Sequence, residues 1–146
     1  MKYCNRAFTL TELIVTIVII GILVGLALPQ FTKTFETTKA KEAVAALRQI
    51  RTGERIYRLS EDFVYPSFTD PANPVSDIAT VNANLKSYID TTTNRNWDYE
   101  IRSTDETRFT ITATRRGGRY NGRTIIKDET GQILPASTWP LPLPAK

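Results

Sequence analysis

The first feature of the chain is an uninterrupted apolar stretch close to its N-terminus. Residues 8–28 read FTLTELIVTIVIIGILVGLAL, with Glu12 as the one charged side chain. As a helix, a stretch of this length covers roughly 31 Å, close to the ~30 Å hydrocarbon core of a bilayer. Because β-branched residues and leucines follow one another without alternating polar positions, the pattern argues against a strand of a soluble sheet. It predicts a single membrane-spanning helix.

A helical pattern resumes after Pro29 and continues to about Ser60. Its apolar residues recur at spacings of three and four and so form one stripe along a helix: Ala40, Ala43, Val44, Leu47, Ile50 and Tyr57. The prolines within residues 66–74 then mark a loop. Ser76 is the expected N-cap of a short second helix. Its apolar residues share one face: Ile78, Val81, Leu85 and Ile89.

From Asn96 onward the apolar period becomes two, which is typical of strands. Residues 97–102 (WDYEIR) and 109–114 (FTITAT) alternate in this way, and residues 124–126 and 132–134 are two further short strands. A meander of three or four antiparallel strands with one apolar face needs a cover, which the apolar stripe of the long helix can supply. We therefore expect an α+β fold, in which a long N-terminal helix, membrane-spanning in its first half, packs on a three- or four-stranded antiparallel sheet.

Composition excludes several classes of catalytic and metal site. The 146 residues are enough for one domain, and the net charge of +4 names no partner by itself. Because the chain has no histidine, a Ser-His-Asp triad and a His-ligated metal are excluded. The single cysteine, Cys4, precedes every foldable segment, so neither an internal disulfide nor a thiolate zinc site is expected. Asp98 and Glu100 share one face of their strand and so suggest a carboxylate pair, but this face is expected to point to solvent, so we predict no catalytic role for them. We predict no enzyme activity, no metal and no cofactor.

Two processing steps are compatible with the apolar stretch. An ordinary secretory signal would use Lys2 and Arg6 as its basic region and would be cut after Ala27. The alternative cut lies between Ala7 and Phe8, and it leaves the apolar helix attached to the mature protein. The acid inside the apolar stretch favours the second cut, because it would weaken a signal meant only for insertion.

Residues 6–13, RAFTLTEL, resemble the cleavage and methylation motif of type IV prepilins and type II secretion pseudopilins. That family has a short basic leader, a small residue before the cut, then phenylalanine, and glutamate as the fifth mature residue. Phe8 and Glu12 match these positions. Further along the helix, Gly21 and Pro29 match a glycine and a proline that are common in the family.

The chain departs from the family pattern at two positions. Ala7 stands where glycine is usual before the cut, and Thr11 stands where an aliphatic residue is common. The first departure would slow processing, and the second should matter little.

The resemblance implies an organisation and a function. Residues 1–7 would be a leader peptide, residues 8–28 a transmembrane and filament-core helix, and residues 29–146 an extracytoplasmic, pilin-like α+β head that includes the second half of the long helix. The chain would be a structural subunit of a type IV pilus or a type II secretion-like pseudopilus. Its partners would be identical or related pilins, a prepilin peptidase and an inner-membrane assembly platform.

The resemblance also implies a location. The subunit would cross the bacterial inner membrane once, with its N-terminus inside, and would end in a periplasmic or extracellular filament. Charge alone does not give this orientation, because basic residues lie on both sides of the apolar stretch in nearly equal number.

The resemblance gives specific roles to the first mature residues. Ala7 and Phe8 flank the cleavage site, and the amine created at Phe8 is the expected site of N-methylation. Glu12 would pair with the Phe8 amine of a neighbouring subunit. A local alternative stays open: after cleavage Glu12 would lie in the first helical turn, where the positive end of the helix dipole favours an acid.

Gly21, Gly25 and Pro29 mark the part of the apolar helix where packing and flexibility are expected. The two glycines form a G-x-x-x-G pair, which lets helices approach closely in lipid. Pro29 lacks the N–H that would bond the carbonyl of Gly25, so the helix is weakest just before it. The proline can kink an isolated anchor, and the resemblance implies that this segment stretches or melts inside the filament; the two are compatible at different stages.

The loop at residues 117–124, GGRYNGRT, nearly matches a phosphate-binding P-loop. However, an arginine replaces the motif's lysine and the loop joins two strands, so the phosphate cradle at a helix N-terminus is missing. The basic residues in and beside the loop are Arg115, Arg116, Arg119 and Arg123. They form a candidate patch for an anionic partner, nucleic acid included, although we favour a solvated hairpin tip. The alternative function is a monomeric, membrane-anchored or secreted binding protein that uses this patch.

Overall fold

A computed structural model describes residues 8–67, 69–70, 73–140 and 142–143 of the chain. The chain divides into two compact units, one ending at Thr38 and one beginning at Lys39, which we call the N-terminal unit and the head unit. Helix α1 (Leu10–Glu61) contributes residues to both. The remaining elements belong to the head unit: α2 (Ile78–Leu85), β1 (Trp97–Ser103), β2 (Phe109–Arg115) and β3 (Thr124–Asp128).

The N-terminal unit is helical from Leu10 onward, and its apolar side chains are exposed. Its most apolar 18-residue window has a mean hydropathy of 2.6, and none of it is buried inside the chain. Among the described residues, α1 is the one helix long and apolar enough to cross a membrane. Pro29 lies inside this helix without ending it. The carbonyl of Pro29 accepts a hydrogen bond from the Thr32 hydroxyl at 3.0 Å.

The core of the head unit lies between the second half of α1 and one face of the sheet. The buried apolar side chains of α1 are Ala40, Ala43, Val44, Leu47 and Ile50, and those of the sheet are Trp97, Tyr99, Ile101, Phe109, Ile111, Ala113 and Ile125. The indole N–H of Trp97 also donates to the carbonyl of Lys39 at 2.9 Å, which ties the first strand to the helix. The predicted α+β fold, a long helix packed on an antiparallel sheet, is confirmed.

The sheet has three strands in the order β1-β2-β3, all antiparallel. The predicted fourth strand at residues 132–134 is reduced to a single bridge between Lys127 and Ile133. Pro135 follows at once and has no N–H to continue a ladder. Instead, Ser137 and Thr138 accept hydrogen bonds from backbone N–H groups of β3, both at 2.9 Å. Backbone N–H groups of the tail also donate to β3, as from Leu134 to the carbonyl of Ile126 at 2.9 Å. The tail therefore covers the edge of β3 with a mixture of backbone and side-chain hydrogen bonds rather than with a regular strand.

Helix α2 packs its apolar face into the head core through Ile78, Val81 and Leu85. Its N-cap is Asp77, one residue later than expected, and the carboxylate accepts from two backbone N–H groups of the first turn. Close contact with α1 depends on Gly53, since a Cβ at this position would lie 2.5 Å from the carbonyl oxygen of Leu85.

Glu54 is a buried carboxyl group at the edge of this core. Its side chain is fully buried, and one oxygen accepts from the N–H of Tyr65 at 2.9 Å. The other oxygen, Oε1, has no hydrogen-bond partner among the described residues. Burial raises the pKa of Glu54 to about 8, although the bond from Tyr65 opposes that shift. The group is therefore mostly neutral at pH 7.

This carboxyl group predicts how the stability of the head unit depends on pH. The pKa of Glu54 is about 8 in the folded chain against an ordinary value of 4.5, so unfolding releases a proton between these values. The free energy of unfolding should fall as the pH rises from about 5 to about 8, by at most about 4 kcal/mol. No histidine is present, so no side chain of ordinary pKa obscures this window.

The measurement is urea unfolding of the full chain in non-ionic detergent micelles, followed by tryptophan fluorescence, because both tryptophans lie in the head unit. Glu54→Gln keeps an acceptor for the Tyr65 N–H and should remove the slope. Glu61→Gln, an exposed neighbour on α1, is the matched control and should keep it. Equal slopes in the two variants would show that Glu54 is not the titrating group.

Candidate functional site

The first candidate site is the start of α1, where Thr9 and Glu12 form a reciprocal cap. The backbone N–H and the hydroxyl of Thr9 both donate to Oε2 of Glu12, each at 2.9 Å. In return, the N–H of Glu12 donates to the Thr9 hydroxyl oxygen at 3.2 Å. This is a capping box, which satisfies backbone donors that a helix start leaves free. The role of Thr9 was not predicted, although its spacing from Glu12, T-x-x-E, is the sequence signal of a capping box.

The arrangement leaves part of the Glu12 carboxylate available. Both bonds from Thr9 go to Oε2, and no cationic side chain of the described residues lies within ion-pair distance of either oxygen. Phe8 is 80% exposed and lies just before the helix. Ala7, on the other side of the predicted cut, lies outside the described residues. Within the described part of one chain, Glu12 is thus a helix-capping residue whose Oε2 is used and whose Oε1 has no partner.

The glycines of the apolar helix present an open surface. A Cβ placed at Gly21 or Gly25 would meet nothing within 4 Å, so this side of the helix is free for close approach by another helix. The helix runs through Pro29. Helix packing and melting at these positions remain predictions.

The second candidate site, the arginine patch, is smaller than the sequence suggested. Arg115 is only 2% exposed, and its guanidinium donates to the carbonyl of Asn96 at 2.9 Å and to that of Arg116. It also lies 5.9 Å from the ring centroid of Trp97. Arg115 is therefore a structural residue of the core edge and not part of a surface patch. The signal was present in the sequence, because Arg115 continues the inward-facing parity of Phe109.

The other three arginines of the loop are exposed but differ in their contacts. Arg116 donates to the carbonyl of Thr93 at 3.1 Å and lies 3.5 Å from an oxygen of Asp98. Arg119 lies 5.9 Å from the ring centroid of Tyr120. The loop joins β2 to β3, as expected, so its glycines do not lead into a helix N-terminus that could hold a phosphate. The alternative binding function therefore depends on three arginines, one of them beside a carboxylate.

Comparison with known proteins adds two findings. Residues 2–28 match the family described as the prokaryotic N-terminal methylation motif. A stretch of 71 residues is 35% identical to the type IV major pilin protein PilA of Myxococcus xanthus (strain DK1622), covering 49% of this chain and 30% of that protein. The chain thus spans less than a third of the length of this relative. No solved structure matches the chain significantly.

The two kinds of arginine predict opposite results on substitution. Arg115→Ala should lower the free energy of unfolding by about 2–4 kcal/mol, since it removes the guanidinium donor to the carbonyls of Asn96 and Arg116 and the packing of this buried side chain on Trp97. The double variant Arg119→Ala/Arg123→Ala removes two positive charges, both at exposed positions. It should change the free energy of unfolding by less than about 0.5 kcal/mol. Urea unfolding followed by tryptophan fluorescence measures both. If Arg115→Ala were as stable as the parent, the structural role of Arg115 would be wrong.

Proposed function

We propose that the chain is a type IV pilin-like protein and a structural subunit of a helical filament, which its match to the N-terminal methylation motif and its similarity to a type IV major pilin support. The filament is a type IV pilus or a type II secretion-like pseudopilus, built from identical or related pilins. The subunit is anchored in a membrane by its apolar helix until it assembles.

The exposed apolar surface of the N-terminal unit is the observation that carries this proposal. Among its described residues no apolar side chain is buried, and its most apolar window is not covered by any other part of the described chain. A continuous apolar surface of this size is unstable in water, so it requires lipid or other helices around it. A membrane before assembly and a bundle of identical helices afterwards meet this requirement in turn.

Processing creates the group that assembly needs. We propose that a prepilin peptidase cleaves between Ala7 and Phe8 and that the new amine of Phe8 is methylated, with the helix crossing the inner membrane N-terminus inside. An inner-membrane platform then moves the subunit into a periplasmic or extracellular filament. The open faces of Gly21 and Gly25 support close helix packing, and the missing N–H of Pro29 gives the helix a place to stretch.

Glu12 links one subunit to the next in this proposal. Its Oε2 is bound within its own chain, whereas Oε1 can accept from the Phe8 amine of a neighbouring subunit. A carboxylate among apolar helices is tolerated only when a cation reaches it. The same contact gives the buried amine a counter-charge. Pairing therefore leaves neither charge buried without a partner, and it sets the axial register of the filament.

Variants of Glu12 test the proposed pairing. Glu12→Ala should leave membrane insertion unchanged or slightly better, because it removes a charge from the apolar stretch. Filament assembly should fall by about two orders of magnitude, since the neighbour's amine is left buried and unpaired. Glu12→Gln should also assemble poorly, because it keeps the shape and loses the charge. Membrane fractionation and quantification of sheared filaments give the two readouts.

Thr9→Val is the matched control for the capping box. It removes the hydroxyl that bonds Glu12 but keeps the carboxylate, so it should assemble close to the parent level. If Thr9→Val failed to assemble as completely as Glu12→Ala, or if Glu12→Ala assembled normally, Glu12 would be a helix-capping residue only.

A further inference from the structure

The head unit contains a cleft that the filament function does not use. It has a volume of about 320 Å³ and lies between α1, the start of β2 and the turn that follows β3. The polar residues lining it are Arg51, Glu54, Arg55, Arg58, Glu129 and Thr130. The arginines follow one another at intervals of four and three, so they lie on one face of the helix. Three guanidinium groups are thereby brought to one small concave surface.

The three arginines are held differently. Arg51 is fixed, because its Nε donates to the carbonyl of Glu129 at 2.8 Å and its guanidinium lies against Gly131, within 2.7 Å of where a Cβ would be. Arg55 and Arg58 are exposed, and neither has a carboxylate within ion-pair distance among the described residues. One arginine is thus positioned by the fold, and two can turn toward a ligand.

The charges around the cleft do not cancel. Besides Glu54, the described residues that line the cleft include one other acidic side chain, Glu129, which also attracts Arg108. Glu54 lines the cleft but is neutral at this pH, because burial raises its pKa to about 8. The other groups near Glu54 are Tyr57 on its own helix and Tyr65 in the following loop; burial raises the pKa of both hydroxyls, so they stay neutral as well. The described lining therefore has more guanidinium groups than carboxyl groups.

We propose that this cleft binds a phosphate or sulfate dianion, free or as the terminal group of a larger molecule, through the guanidinium groups of Arg51, Arg55 and Arg58. The fork of N–H donors on each arginine matches the oxygens of such an anion in pairs. The volume lies at the lower end for small-molecule sites and suits a ligand of few atoms. Binding is coupled to the protonation of Glu54, since an ionised carboxylate in the wall of the cleft repels the anion.

Titration with inorganic sulfate tests the proposal, because the charge of sulfate stays constant from pH 6 to pH 9 and any pH dependence belongs to the protein. The full chain is used in non-ionic detergent micelles at constant ionic strength, with isothermal calorimetry as the readout. We expect saturable binding of one sulfate per chain. The affinity should be several-fold weaker at pH 9 than at pH 6, and Glu54→Gln should bind equally at both values.

Two double variants of equal charge identify the site. Arg55→Ala/Arg58→Ala should weaken sulfate binding at least ten-fold, whereas Arg119→Ala/Arg123→Ala, which removes the same charge from the β2–β3 loop, should leave it unchanged. Equal losses in both variants, or the absence of saturable binding, would overturn the site. A pH dependence that survives Glu54→Gln would overturn the coupling. Glycerol 3-phosphate, titrated against bound sulfate, distinguishes the sources: competition identifies an ester ligand, and its absence restricts the cleft to the free anion.

Discussion

The packing of one face of α1 on the inner face of the sheet is the contact on which the rest of the head unit depends. Leu47 and Ile50 are fully buried there against strand residues such as Ile101 and Ile111. The sheet has only three strands and cannot bury an apolar face by itself. The chain has a single cysteine and so no internal disulfide. The two edge strands of the sheet, β1 and β3, are each covered by a short segment of chain. A bridge from Val75 covers part of β1, and the tail covers β3.

The two halves of α1 differ in how their apolar residues are distributed around the helix. Up to Leu28 the helix is apolar on all sides, which is typical of a helix surrounded by lipid or by other helices. Beyond Lys39 one apolar face is buried in the head, although Ile56 and Leu59 near the end of the helix are exposed. The charged face of this second half carries the arginines of the cleft. With the proposals above, one helix would combine a surface for assembly, a surface for folding and a surface that binds a small anion.

Much of the fold follows from periodicity, and the errors have physical reasons. The end of α1 and the cores of all three strands were predicted within a few residues, because spacings of three and four or of two extend over long segments. Ser76 and Asp77 are equally good capping residues by type, so only backbone geometry selects between them. The predicted fourth strand does not form. The β-propensity of residues 132–134 favoured a strand, but Pro135 has no N–H to continue the ladder.

The candidate sites were less predictable, since they depend on where single polar residues fall within an apolar pattern. Arg115 and Glu54 both occupy inward-facing positions: the first continues the parity of β2, and the second lies four residues after Ile50 on the buried stripe. Charge suggested exposure for Arg115, and Glu54 was not singled out. The cleft brings α1 together with a turn more than seventy residues further along the chain, which no local pattern encodes. The capping box was readable from its spacing alone.

Filament assembly as proposed requires that the apolar helix stays attached to the mature protein and begins with a new amine. Intact mass and N-terminal sequencing of the protein purified from the membranes of its own cells test this most directly. We expect the mature chain to begin at Phe8 and to carry one additional methyl group. A chain that begins at Leu28 would have lost Glu12 and the whole apolar surface, and it would be a secreted domain that cannot assemble in the way described.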